Sequence, residues 1–301
     1  MSQIETTYKS RDTEETLDVL LYRPAGYAIA VLSEKIGLTP NTITLAGAVI
    51  GIIAGYLFYY PALPLTLIGI FLLMFSEALD SADGQLARMT NRKSRSGRIL
   101  DGLATNFIFI SIYISLSLRL MNEGASAFIW IFAILSGASH SVQSAMADYY
   151  RTGYLHFIIT PGKGELDRSG KITKTYQDIS WRSPVEKLFF RLYLNYTVEQ
   201  EALSPKFEKM TAAIEELFGG VLPLSIAAKY KASAKPLIKY YNILTTNTRM
   251  IFLFFALLIN LPWLYFAFEM IILNCLLIYV MIRQERISAD IMNAINNHIE
   301  D

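Results

Sequence analysis

Three carboxylates and two glycines stand at helical spacing between apolar runs. Asp80, Asp83, Gly84 and Ala87 follow an i, i+3, i+4, i+7 pattern and share one stripe of a helix. Gly97, Asp101 and Thr105 follow i, i+4, i+8 on the next one. The flanking segments 65–79 and 103–118 are largely apolar, with Glu77 the exception. Carboxylates on such segments are expensive unless they have a task. Three converging near a polar boundary suit a hard divalent cation, Mg2+ or Mn2+, which takes oxygen ligands and leaves positions for phosphate. The chemistry would be metal-assisted phosphoryl-type transfer. Gly84 and Gly97 remove side chains where a ligand or the other helix must come close.

For these residues to meet, two antiparallel helices must join through the turn that holds Arg88, Arg92, Lys93, Arg95 and Arg98. Lys and Arg collect on the cytoplasmic side of a membrane, which places this turn there. Composition agrees with a membrane protein: 53% of the 301 residues are hydrophobic and only 18% charged. The net charge of +1 gives no bulk attraction to nucleic acid. A single cysteine, Cys275, excludes a disulfide framework.

Along the chain, 1–38 reads as a cytoplasmic segment with an amphipathic surface helix interrupted near Pro24; a helix packed on protein is the alternative. Residues 39–150 hold four transmembrane helices and the catalytic motif. The first opens at Thr39-Pro40, a cap followed by proline at the first helical position. The fourth is polar inside, with Ser136, Ser139, His140, Ser141, Gln143, Ser144 and Asp148, so it faces protein or water. Residues 151–241 form a mostly helical cytoplasmic insert, with turns at Pro161-Gly162-Lys163-Gly164 and at 167–170. Its aromatic residues read as a small core. Lys229, Lys231, Lys235 and Lys239 form either a headgroup-facing run or a solvated face. Residues 242–283 hold two more spans around an outer turn at Pro262-Trp263, and 284–301 form a cytoplasmic tail. The fold class expected is an all-α polytopic membrane protein with six transmembrane helices, both termini in the cytoplasm. Arg119, near an outer loop, goes against the charge rule.

The pattern Asp80-x2-Asp83-Gly84-x2-Ala87-Arg88-x8-Gly97-x3-Asp101 resembles the signature of the CDP-alcohol phosphotransferase family, D-x2-D-G-x2-A-R-x8-G-x3-D-x3-D. Seven of its eight specified positions match, and the last, an aspartate, is Thr105 here. The resemblance covers roughly residues 24–151 and the last two spans, not the insert. It implies a six-helix membrane domain, usually a homodimer, that cleaves a CDP-alcohol and transfers the substituted phosphate to an acceptor hydroxyl, releasing CMP. Lipid synthesis is the implied setting, with a lipid or small-alcohol acceptor and membrane lipids as surroundings. Asp80, Asp83 and Asp101 would bind metal. Gly84 and Ala87 would let the nucleotide lie along the helix, and Arg88 would brace the turn or contact phosphate. Asn41 and Thr44 stand in a Pro-Asn-x-Ile-Thr stretch like the family's, so they either touch the nucleotide or satisfy helix-terminal groups.

The departure at Thr105 matters because the family's aspartate is thought to deprotonate the acceptor, and a threonine hydroxyl has no accessible basic form. A transfer-inactive scaffold is therefore the alternative function. Within an active enzyme, His140 is the candidate substitute base. It lies eight residues inside the fourth span, as Thr105 does in the third, both roughly 12 Å deep. Hydrogen bonding inside a polar helix core is its other reading.

Overall fold

The computed structural model describes residues 10, 12–162 and 166–300; Lys163, Gly164 and most of the 1–11 lead-in lie outside them. The described residues contain helices and no strand. A π-helical turn, Asp18–Tyr22, leads into α1 (Arg23–Lys35); α2 (Pro40–Leu57), α3 (Leu63–Met89), α4 (Arg95–Asn122) and α5 (Ile129–Tyr154) follow. The segment expected as an insert holds α6 (Ser169–Asp178), α7 (Pro184–Leu203), α8 (Pro205–Phe218), α9 (Leu224–Ala234) and most of α10 (Ile238–Ile243). After these come α11 (Thr246–Leu258), α12 (Trp263–Ala267) and α13 (Asn274–Glu300), the last two joined by π-helical turns. The chain divides into two compact units, 1–140 with 249–271, and 141–248 with 272–301.

Among the described residues, four helices are long and apolar enough to cross a membrane: α2, α3, α4 and the continuous Trp263–Ile299 run. Four of the six expected spans thus qualify by length and composition. The other two exist as helices with physical reasons for falling short. Polar residues at 136, 139–141, 143–144 and 148 dilute α5. The 13 residues of α11 reach only about 20 Å, against a hydrocarbon core of roughly 30 Å.

In the first unit, α2 packs closely against both α3 and α4. Small residues on α2 make this possible. A Cβ on Gly51 would stand 2.5 Å from Ile108 Cδ1 and 2.8 Å from Ser76 Oγ, and Ser76 Oγ donates to the Gly47 carbonyl at 2.8 Å. The packing buries Ala54, Phe58, Leu73, Ile108, Ile112 and Leu116 in the main core. Val49, Phe71 and Ile110 point outward and stay exposed, as lipid-facing side chains do.

The N-terminal helix joins this bundle. Ala30 packs with Ile43, Leu79, Ala82 and Leu86. Gln85 Nε2 donates to the Arg23 carbonyl at 3.0 Å, and Arg23 pairs with Glu14 at 2.9 Å. A Cβ on Gly26 would lie 2.8 Å from Ser81 Oγ and 3.0 Å from the Ala82 amide nitrogen. Backbone cannot yield as a side chain can. Gly26→Val should therefore cost about 1–3 kcal/mol through overpacking, read as a lower melting temperature in detergent; an unchanged melt would mean α1 does not bear on α3.

Arg119 is accounted for by burial and pairing. Only 2% exposed, it pairs with Glu123 at 3.0 Å, donates to the Phe58 carbonyl at 3.4 Å and bonds Asn260 Oδ1. A cation so paired is not a free charge that would set topology.

The second unit packs α7, α8, α9 and α13 with the C-terminal part of α5. A Cβ on Gly153 would meet the Phe207 ring at 2.4 Å, so a larger residue there would have to displace that buried ring from between α5 and α8. Glu285 accepts from the Lys206 and Phe207 amides at 3.0 and 3.1 Å, satisfying the α8 N-terminus. Phe207 is fully buried against Tyr149 and Tyr150; of the insert's other aromatic residues, Phe190 and Tyr230 are buried and Trp181 is exposed.

Candidate metal centre

Ordinary helix-end chemistry brings the carboxylates together. The α3 helix ends at Met89, and Asn91 turns the chain with φ of 53°, a conformation asparagine tolerates. Ser94 then caps α4, its Oγ accepting from the Gly97 amide at 3.0 Å. The five-residue turn places Asp101 on the first turns of α4 beside Asp80 and Asp83 on the last turns of α3. One carboxylate oxygen from each of Asp80, Asp83 and Asp101 lies within 4.8 Å of the others.

Three anions this close repel one another. At 4.8 Å and an effective dielectric of about 20, each pair costs about 3.5 kcal/mol. That exceeds what an exposed ion pair returns, so the arrangement fits a divalent cation held by three carboxylates. Asp80 is exposed, Asp101 half-buried and Asp83 only 6% exposed, so the group opens to one side from a buried base.

Thr44 orients the buried member. Its hydroxyl lies 3.1 Å from the Pro40 carbonyl and bonds Asp83 Oδ2. Asn41 is exposed at the α2 N-terminus, where a Cβ on Gly97 would stand 3.3 Å from its Oδ1. The start of α2 thus closes against both motif helices. Gly84 and Ala87 are half-buried along the α3 stripe, and the Arg88 guanidinium folds back over Gly84, 3.3 Å from where a Cβ would sit.

Thr105 and His140 lie apart from this arrangement in different ways. The Thr105 hydroxyl donates to the Asp101 carbonyl at 3.2 Å, a bond within its own helix. His140 is not in the carboxylate group. Its Nδ1 lies 3.0 Å from the Tyr113 hydroxyl, its ring packs edge-on to Phe109 at 4.2 Å, and it is 7% exposed. If His140 holds Tyr113 in the core, His140→Ala should lower the melting temperature and leave turnover within a few-fold of wild type. If it is the base, turnover should fall by about a hundred-fold or more while CDP-alcohol affinity persists. Steady-state kinetics beside a thermal melt separates the two, and the packing favours the first.

Sequence reasoning missed a buried ion pair. Arg249 on α11 and Glu269 on the next apolar run are both fully buried and bonded to each other. A single charge of opposite sign on each of two consecutive apolar segments was the available signal.

Residues 37–160 match the family model described as CDP-alcohol phosphatidyltransferase, so the resemblance read from the motif is borne out. A human protein, CDP-diacylglycerol–inositol 3-phosphatidyltransferase, is 37% identical over 101 residues, which is 34% of this chain and 45% of that protein. The chain thus spans less than half the length of that relative. With four apolar helices, the match makes this an integral membrane protein.

Proposed function

We propose, with residues 37–160 read as a CDP-alcohol phosphatidyltransferase domain, that this protein transfers a substituted phosphate from a CDP-alcohol to an acceptor hydroxyl in phospholipid synthesis. The observation that carries the reading is the meeting of Asp80, Asp83 and Asp101 within 4.8 Å, at the motif spacing. In this reading the three carboxylates hold Mg2+ or Mn2+. A bound divalent ion would neutralise the donor diphosphate and favour departure of CMP. Thr44 fixes Asp83 so that its carboxylate meets the ion in one orientation. Gly84 and Ala87 leave the α3 stripe low enough for the nucleotide, with Asn41 at its edge. Arg88, poised over Gly84, contacts a phosphate oxygen; its planar fork suits that task. Thr105, hydrogen-bonded within α4, does not take the acceptor proton.

The human relative's name makes CDP-diacylglycerol the first donor to offer and inositol the first acceptor. Purified protein should release CMP from CDP-diacylglycerol only with an acceptor and Mg2+ or Mn2+, and mass spectrometry of the lipid product identifies the acceptor. Silence across several CDP-alcohols and a membrane lipid extract would leave the second reading, a transfer-inactive scaffold, which Thr105 favours. A homodimer and six spans with a cytoplasmic active site belong to the same proposal. Lys206, exposed on α8, should then react with a membrane-impermeant label only from the cytoplasmic face.

A further inference from the structure

The second unit contains a cavity of about 420 Å³ that shares no residue with the carboxylate centre. One wall is built by residues 232–240, from the end of α9 to α10, and the other by α13. Neither wall lies in the segment that matches the family model. On α13, Tyr279, Arg283, Arg286 and Asp290 recur at i, i+4, i+7 and i+11, so they form one stripe facing the cavity. Lys239 lines it from α10.

Three cations and one acid therefore line the cavity. Among the described residues no carboxylate lies within 4.0 Å of Lys239, Arg283 or Arg286, and all three side chains are exposed. Lys239 Nζ sits 4.8 Å from the Tyr240 ring centroid, and Tyr240 meets Tyr279 edge-on at 5.5 Å. The aromatic pair thus forms a firm side to the cavity and positions the ammonium. Converging like charges without a partner favour an anion of more than one charge. Two arginine forks and an ammonium match the oxygens of a phosphate group. The volume lies in the range of small-molecule sites, large for bare phosphate and suited to a phosphate carried on a small headgroup.

The position on α13 points to the source. The apolar run from Trp263 has one charged residue before Arg283, Glu269, and Tyr279 and Arg283 fall where it turns polar. Tyrosine followed by arginine marks a bilayer–water boundary, where lipid phosphates lie. We propose that this cavity, built by the insert and the last helix, binds a phosphate monoester group, presented by an anionic lipid headgroup at the membrane surface or by a soluble phosphorylated alcohol. The site stands independently of the transferase reading.

The test uses the full-length protein in neutral detergent with EDTA present, so that metal-dependent binding elsewhere does not contribute. Dioctanoyl phosphatidic acid, dioctanoyl phosphatidylcholine and glycerol 3-phosphate are titrated by isothermal calorimetry. Phosphatidic acid should bind and phosphatidylcholine should not. The double substitution Arg283→Gln with Arg286→Gln should weaken binding by at least about ten-fold, and Lys239→Gln by several-fold. Lys209→Gln, an exposed charge outside the cavity, and Asp101→Asn should change nothing. Glycerol 3-phosphate binding with the same sensitivity assigns the site to a soluble phosphoester; lipid binding alone assigns it to a headgroup. Should the double variant melt early, Lys239→Gln, on an exposed side chain, decides. Absence of binding by both phosphates, equal binding of phosphatidylcholine, or affinity indifferent to all three cavity substitutions overturns the proposal.

Discussion

Replacing Asp80 or Asp101 by asparagine should reduce transfer by at least about a hundred-fold, and both variants should bind Mn2+ more weakly by electron paramagnetic resonance. Asparagine keeps the shape and removes one of three negative charges. At 4.8 Å the charges act together on whatever lies between them, so losing one removes a large share of the attraction for a divalent ion. The neutral amide also offers its single oxygen in competition with water. EDTA should abolish transfer in the wild type, and Mg2+ or Mn2+ should restore it. The metal titration reads the site even where turnover is too slow to measure. Wild-type Mn2+ affinity and turnover in either variant would sink the proposed centre.

Breaking the Arg249–Glu269 pair should have the largest effect on stability. Both side chains are fully buried, so removing one leaves the other buried without its counter-charge. Arg249→Met or Glu269→Leu should each cost about 3–5 kcal/mol, whereas the double substitution should recover most of that loss. Equilibrium unfolding in mixed micelles measures all three variants. A single variant within about 1 kcal/mol of wild type would show that water reaches the pair, and a double variant as unstable as the singles would show that the two charges do not act on each other.

The sequence alone determined the carboxylate stripe, because helical periodicity leaves no freedom in which face Asp80, Asp83 and Asp101 occupy once α3 and α4 form. It likewise determined the turn between them, through the basic run from Arg88 to Arg98. The start of α2 at Pro40 followed from the same local rules. Composition was enough to announce a membrane protein, because burying that much apolar surface needs either lipid or a very large core.

Side-chain partners across the chain were decided only by tertiary structure. Thr44 reads locally as a residue near a helix start, and its bond to Asp83, 39 positions away, exists because glycines let α2 lie close against α3. His140 reads as a candidate base by depth, but depth along an axis does not fix rotation about it, and the packing turns it toward Tyr113 and Phe109. Arg119 reads as a breach of the charge rule until Phe58, Glu123 and Asn260 surround it. The cations at 239, 283 and 286 are scattered in sequence and gather only where α10 meets α13. Periodicity is local and survives in a string of letters; a hydrogen bond between distant residues depends on how helices rotate and approach, which the string does not carry.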